Sequence, residues 1–233
     1  MGPPMSCEVH LWKYELKQFP TKFSFPKVLS QDELARSQRF ISREDGKRFA
    51  WVHAFQRDVL SRYLHLPSNE IQFAMGRNKK PILKTRAAKP AIHFNLSYRN
   101  KYALLAISSK TSVGVDIEEV GSLPDFAAFL SDYFSTEEQQ KILEKETKEE
   151  QLSLLFTLWT MKEALVKSLT IGVKGSFATY NLCPFLQQSS GVLSLGKQRA
   201  WNISPVSIAE SYKAAFAVAA NQVHFKMFEY GKD

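Results

Sequence analysis

Apolar side chains outnumber polar ones over residues 7–14 of the 233-residue chain, and the run reads as an opening β-strand. A helix follows from about Asp32, and a longer one covers 44–64, EDGKRFAWVHAFQRDVLSRYL, ending ahead of Pro67. Residues 92–97, IHFNLS, and 102–108, YALLAIS, flank the turn YRNK and predict a hairpin. SVGVDIEEV predicts a further strand. Residues 136–150 are densely charged and predict a helix with a solvated face, with an adjoining helix over about 150–169. Late strands are predicted near 176–182, 190–195 and 212–220. Strands and helices mix without strict βαβα alternation, so the expected fold class is α+β.

Two of these segments carry chemistry. Along SVGVDIEEV, alternation puts Val113, Val115 and Ile117 on one face and Gly114, Asp116 and Glu118 on the other. Carboxylates two residues apart on one face are about 7 Å apart, and Gly114 is expected to leave open space beside them. Such a pair repels unless something neutralises it. Either the face is solvated, or it holds a hard divalent cation such as Mg²⁺. Glu119 faces the other way.

On the helix over 150–169, Leu152, Leu155, Phe156, Trp159 and Val166 lie within roughly 40° of a common line, and Glu163 falls inside that stripe. Leu154, Leu158, Met161 and Leu165 cover much of the remainder. The helix is therefore expected to be buried, with Trp159 packing in the core and Lys162, off the stripe, either solvated or a secondary contact. A carboxylate in an apolar stripe needs a partner or a metal. Glu163 either pairs with Lys167 at i,i+4 or is a third ligand beside Asp116 and Glu118, with Lys167 holding a phosphate.

Charge sharpens the picture. Residues 1–110 hold 20 Lys and Arg against 8 Asp and Glu, a net of +12, and residues 111–233 hold 11 against 15, a net of −4. A basic first half suits a polyanionic ligand. A basic-aromatic RNA motif, a zinc finger and a lone basic helix are all missing from the sequence, so nucleic acid is not the expected partner. No run of 18 apolar residues suggests a membrane span, and the start has no apolar signal core. The opening M-G-x-x-x-S pattern of N-myristoylation is short and is followed by Pro3, so it carries little weight. Cys7 and Cys183 are far apart and are expected to be reduced, in a cytoplasmic protein.

VGVDIE, followed about forty residues later by WTMKEALVK, resembles the signature of the 4′-phosphopantetheinyl transferases, surfactin-synthetase type. KKPIL at 79–83 stands where that family has G-K-P, and FNLSY at 94–98 stands where it has F-N-[LI]-S-H. Length and the layout of the first half are also similar to the eukaryotic aminoadipate-semialdehyde dehydrogenase phosphopantetheinyl transferases. The resemblance spans about Arg36 to Gly172.

The resemblance implies two similar α/β halves in a pseudo-twofold arrangement, 1–110 and 111–233, in a monomer with coenzyme A between them. It implies Mg²⁺-dependent transfer of the 4′-phosphopantetheine arm of coenzyme A to a serine of an apo acyl carrier protein or carrier domain. The carrier would be of a fatty acid synthase-like or aminoadipate reductase-like system, and adenosine 3′,5′-bisphosphate would be released. By family position, the coenzyme A contacts are Arg36, Met75, Gly76, Arg77, Asn78, Lys79, Lys80, Pro81, Asn95, Leu96, Ser97 and Tyr98, together with Asp116, Glu163 and Lys167. Asp116, Glu118 and Glu163 match the metal ligands, and Asp116, Glu163 and Lys167 the catalytic groups. Tyr98 replaces the family histidine, and Lys79 the glycine before Lys80. The alternative is a catalytically weak paralogue that binds coenzyme A or carrier domains.

Overall fold

Strand β1 (Glu8–Glu15) opens the chain where the apolar run predicts it. In the computed structural model, the residues described are 8–16, 25–76, 80–84, 92–169, 177–186, 191–194, 200–220 and 222–232. After β1 come the short α1 (Phe25–Val28), α2 (Gln31–Gln38) and α3 (Arg43–Leu64). Ser30 and Glu33 form a capping box that starts α2, and Ser42 caps α3 by accepting from the Asp45 N–H. α3 stops at His65, which takes a left-handed conformation (φ 53°) two residues before Pro67. A small hairpin, β2 (Phe73–Met75) and β3 (Pro81–Leu83), precedes β4 (His93–Arg99) and β5 (Tyr102–Ser108). The tight turn between β4 and β5 places Asn100 at φ 44°, a conformation that asparagine tolerates.

The second half repeats this order. β6 (Val113–Glu119) is followed by α4 (Phe126–Tyr133), α5 (Thr136–Leu143) and α6 (Lys148–Ser168). Strands β7 (Gly191–Ser194), β8 (Ala200–Ala209) and β9 (Tyr212–Val218) complete it. In each half the first strand pairs antiparallel with the last, which pairs antiparallel with the one before it: β1–β5–β4 and β6–β9–β8. The final strand, β10 (His224–Glu229), departs from a simple division near residue 111. It returns to the first sheet and pairs parallel with β1, giving the orders β10-β1-β5-β4 and β6-β9-β8-β7.

Four layers result. α3 packs Val52, Phe55, Val59 and Leu60 onto Trp12, Leu105 and Ile107 of the first sheet. That sheet's other face, with Val9, Leu11, Leu104 and Ala106, meets Val113, Val115, Ile117 and Phe216 of the second. α6 covers the far side, with Leu155, Leu158, Met161 and Leu165 against Trp201, Ile203, Ala215 and Ala217. Each helix hides one apolar face and each sheet two, burying surface that would otherwise cost about 25 cal/mol per Å² in water.

Two expectations need correction, and strand β8 was not predicted. The charged stretch 136–150 is not one solvated helix: α5 ends at Leu143, and α6 starts afresh from the Thr147–Glu150 capping box. Glu138 inside it is fully buried. Residues 177–182, expected as a strand, hold the 3₁₀ turn Phe177–Thr179, with a second at Cys183–Phe185. Their carbonyls turn toward a lysine of α6 instead of a neighbouring strand. β8 was hidden by Pro205, which lacks the N–H a ladder needs. β7 pairs only with Ala200–Ile203, so Pro205 lies beyond it and no donor is missed on that side.

Candidate active site

Besides packing their sheets face to face, the two halves meet where edge strands β4 and β6 abut, and there the contact is made through side chains. Alternate residues of β4 face β6. Asn95 Oδ1 accepts the Val115 N–H at 2.8 Å, Ser97 Oγ donates to Asp116 Oδ1 at 2.9 Å, and Arg99 Nε lies 3.4 Å from Glu118. Ser97 and Asp116 therefore close the seam instead of bounding a gap. Leu96 and Tyr98 take the opposite face of β4. Tyr98 is exposed, and Leu96 packs with the α3 layer.

The other half of the site comes from α6. A Cβ on Gly114 would lie 2.0 Å from the Ala164 carbonyl oxygen and 2.6 Å from the Ser168 nitrogen. The expected open space beside the carboxylates is thus filled by helix backbone. Glycine is required because the two backbones touch. That approach delivers Lys167 to β6: its Nζ is 2.5 Å from Asp116 Oδ1 and 3.4 Å from Ser97 Oγ. Lys167 pairs with the strand, so the i,i+4 partnership with Glu163 is not the one formed.

Glu163 is half-buried, at the margin of the helix's buried face and not within it. Burial raises its pKa above the ordinary carboxylate range, Lys167 opposes this, and Asp116 adds to it. Glu118 is raised by burial and by Asp116, with Arg99 and Lys167 opposing and Glu163 adding. The three carboxylates thus share one electrostatic environment. Asp116 is 2% exposed, and its Oδ2 has no hydrogen-bond partner. Among the described residues, no three His, Cys, Asp or Glu side chains already close on one point. Mg²⁺ is usually held by one or two carboxylates plus substrate phosphates, without a dedicated protein cage. A buried, unsatisfied carboxylate oxygen with two more carboxylates in its field fits that donor set.

The remaining predicted contacts lie at varied distances from this seam. Arg36, on α2, stacks its guanidinium 4.9 Å from the Phe49 ring centre and is exposed. Met75 is exposed, and Gly76 and Pro81 frame the β2–β3 turn, where the Gly76 N–H donates to the Lys80 carbonyl at 2.9 Å. Arg77, Asn78 and Lys79 lie outside the described residues, as does Cys7. Lys80 does reach the seam, but its ammonium bonds to protein oxygens: Ser112 Oγ at 3.3 Å, and the Val113 and Lys167 carbonyls at 2.7 Å each.

Lys162 corrects the helical reading. It is fully buried, pairs with Glu138 at 2.8 Å, and donates to the Phe177 and Tyr180 carbonyls. Trp159 packs as expected, stacked on Phe177 and edge-on to Tyr133. Cys183 is a buried free thiol. Arg99 was not anticipated at all. Its position two residues beyond Ser97, on the face that carries Asn95 and Ser97, was the available signal.

The description "4′-phosphopantetheinyl transferase superfamily" matches residues 112–217, and "4′-phosphopantetheinyl transferase, N-terminal" matches 11–110. The 4′-phosphopantetheinyl transferase HetI of Nostoc sp. is 32% identical over 72% of this chain and 71% of its own. The 4′-phosphopantetheinyl transferase Sfp of Bacillus subtilis is 29% identical over 61% of each. The human L-aminoadipate-semialdehyde dehydrogenase-phosphopantetheinyl transferase is 26% identical over 62% of this chain, a match that spans 49% of the human protein. The solved holo-[acyl-carrier-protein] synthase of Thermotoga maritima overlaps only partially, with TM-score 0.33 at 18% identity over 48% of this chain and 64% of that one. With both halves matched and a bacterial relative aligned over most of its length, the chain belongs to the 4′-phosphopantetheinyl transferase family, whose members transfer phosphopantetheine from coenzyme A to carrier proteins.

Proposed function

We propose that the seam residues carry out Mg²⁺-dependent transfer of 4′-phosphopantetheine from coenzyme A to a serine hydroxyl of an apo carrier, releasing adenosine 3′,5′-bisphosphate. The observation that carries this is Asp116: buried, bonded at Oδ1 by Ser97 and Lys167, and unsatisfied at Oδ2 beside two carboxylates whose protons are held above the usual range. Asp116, Glu118 and Glu163 would hold the ion. When bound, Mg²⁺ supplies charge neutralisation at the pyrophosphate and on the leaving phosphate. Glu163, directly or through water, accepts the proton of the carrier serine Oγ, a role that suits a carboxylate of raised basicity. Lys167 offers its ammonium to a phosphate oxygen, exchanging part of its bond to Asp116 for one to the substrate. The strongly basic first half supplies the field that draws in coenzyme A. The carriers would be acyl carrier proteins or aminoadipate reductase-like domains, met by a monomer in the cytoplasm.

The experiment mixes the protein with apo carrier, coenzyme A and Mg²⁺ and follows the carrier's mass over time. Conversion that stops on chelation and resumes with Mg²⁺ is the expected result. Coenzyme A binding without any conversion would leave only the binding role.

A further inference from the structure

We propose that Lys80 is a positioning residue: its ammonium straps the β2–β3 hairpin of the first half onto the junction of β6 and α6, fixing the main chain from which Lys167 reaches Asp116. The inference rests on the transfer reaction proposed above. An ammonium has three donors, and here all three have protein acceptors in the second half, on β6, on α6 and on Ser112 just ahead of β6. The Val113 and Lys167 carbonyls flank the place where Gly114 lets the two backbones touch. The Lys167 carbonyl also lies in the last turn of α6, where helix carbonyls have no intrahelical partner and the dipole favours a cation. Burial, together with the neighbouring Lys167 ammonium, pushes the Lys80 pKa down to about 8, as befits a cation enclosed by protein. Reaching a phosphate would require breaking two 2.7 Å bonds to carbonyls. Lys167, by contrast, is 29% exposed and has protein partners for two of its three donors.

The test uses the full chain with Lys80→Met and Lys80→Arg, and Ser112→Ala as a milder change in the same strap. Three quantities are read: single-turnover transfer at saturating coenzyme A, dissociation constants for coenzyme A and dephospho-coenzyme A, and amide exchange at Ala164–Leu169 without carrier. For Lys80→Met we expect transfer to fall tenfold or more and exchange at the helix end to quicken about tenfold. The two dissociation constants should shift by a common factor. Lys80→Arg, which keeps a cation, should recover part of the rate, and Ser112→Ala should lose less than threefold. Selective loss of coenzyme A over dephospho-coenzyme A would make Lys80 a 3′-phosphate ligand and overturn the proposal. Unchanged exchange, or quickened exchange with a normal transfer rate, would also overturn it. Transfer by the wild-type chain reports separately on the reaction itself, whereas exchange reports on the strap even if no transfer occurs.

Discussion

Two of the three lysines of helix α6, Lys162 and Lys167, are five residues apart and live in opposite worlds. Lys162 is wholly enclosed, and Glu138, the Phe177 carbonyl and the Tyr180 carbonyl take its three donors. Glu138 is equally saturated: it also accepts the Ser135 and Leu182 N–H groups. Lys167 is 29% exposed and leans on a carboxylate that keeps one oxygen unsatisfied. The difference separates structure from chemistry. A buried charge whose bonding capacity is exhausted can only hold the fold together. One left with an open valence, at the edge of solvent, can exchange partners with a substrate. Nearby segments obey this rule too, since the saturated pair pins the 177–182 turns under α6 while the open pair faces the seam.

The largest effect should come from the open side. Glu163→Gln removes a charge and a base but almost no volume, so the fold should survive while single-turnover transfer drops by about 10²–10⁴-fold, the usual range for a general base. A near-normal rate would return Glu163 to an ordinary surface carboxylate. On the saturated side, Lys162→Met should leave Glu138 buried without its cation and cost about 3–5 kcal/mol by urea denaturation. Activity per folded molecule should hardly change. If Lys162→Met lost catalysis and kept its stability, the division of labour along α6 would be wrong.

A smaller effect should come from the contact that serves both sides. Gly114→Ala places a methyl against helix backbone, which has no flexible end to yield. About 1–3 kcal/mol of stability should be lost, as for other overpacked sites. Transfer should also fall, because α6 must lift Lys167 away from Asp116. A shift in melting temperature alone would show that the seam tolerates such a displacement.

How much of this was written in the sequence depends on whether a residue's role is local. Strands and helices with clear periodicity were legible, as was the shared face of Asp116 and Glu118, which spacing within β6 sets; Glu163 and Lys167 were assigned to the same site only through the family resemblance. The capping signatures STEE and TKEE, at 135–138 and 147–150, were also present and marked the break that the charge density obscured. What could not be read was which neighbour each face would meet. A helical wheel placed Glu163 in the apolar stripe and Lys162 outside it. The structure reverses their burial, because the carbonyls that receive Lys162 belong to turns 15 and 18 residues away. The protein partners of Lys80 were out of reach for the same reason, since its acceptors lie 32 to 87 residues distant.

Acidity offers a gentler probe of the same contrast. Glu33, between α2 and α3, is raised by burial, but hydrogen bonds from His53, Arg57 and the Ser30 N–H more than offset this and bring its pKa down to about 2. Its contribution to stability is complete above about 4.5 and lost as pH falls toward 2. Glu163 and Glu118 behave oppositely, since their folded pKa values are raised. The folded state then binds protons more tightly than the unfolded chain, and stability declines as pH rises from about 4.5 through the raised values. Glu163→Gln should flatten the upper decline, and added Mg²⁺ should offset it at neutral pH. His10 and His93, whose pKa values burial lowers, act in the opposite direction over part of that range, so the carboxylate effect is read as the difference between wild type and Glu163→Gln, and identical profiles for the two would contradict the raised Glu163.

The smallest effect is predicted next door. Glu119 follows Glu118 in the same strand, yet alternation turns it to the other face, where it accepts a hydrogen bond from the Asn100 amide. Its register partner is Tyr212, whereas Glu118 stands opposite Lys213 and beside Arg99. Glu119→Gln keeps an acceptor oxygen for Asn100 and removes a charge from a group outside the seam. It should change stability by no more than about 0.5 kcal/mol, as surface substitutions do, and leave transfer and its Mg²⁺ dependence within about twofold. Glu118→Gln, one residue earlier, should weaken the Mg²⁺ dependence. Measured side by side as Mg²⁺ titrations of the single-turnover rate, the two variants differ only in which face of β6 loses a charge. Equal losses would mean that the site draws on the field of the strand as a whole. Unequal ones, with Glu119 silent, would assign the chemistry to the face that α6 and β4 enclose.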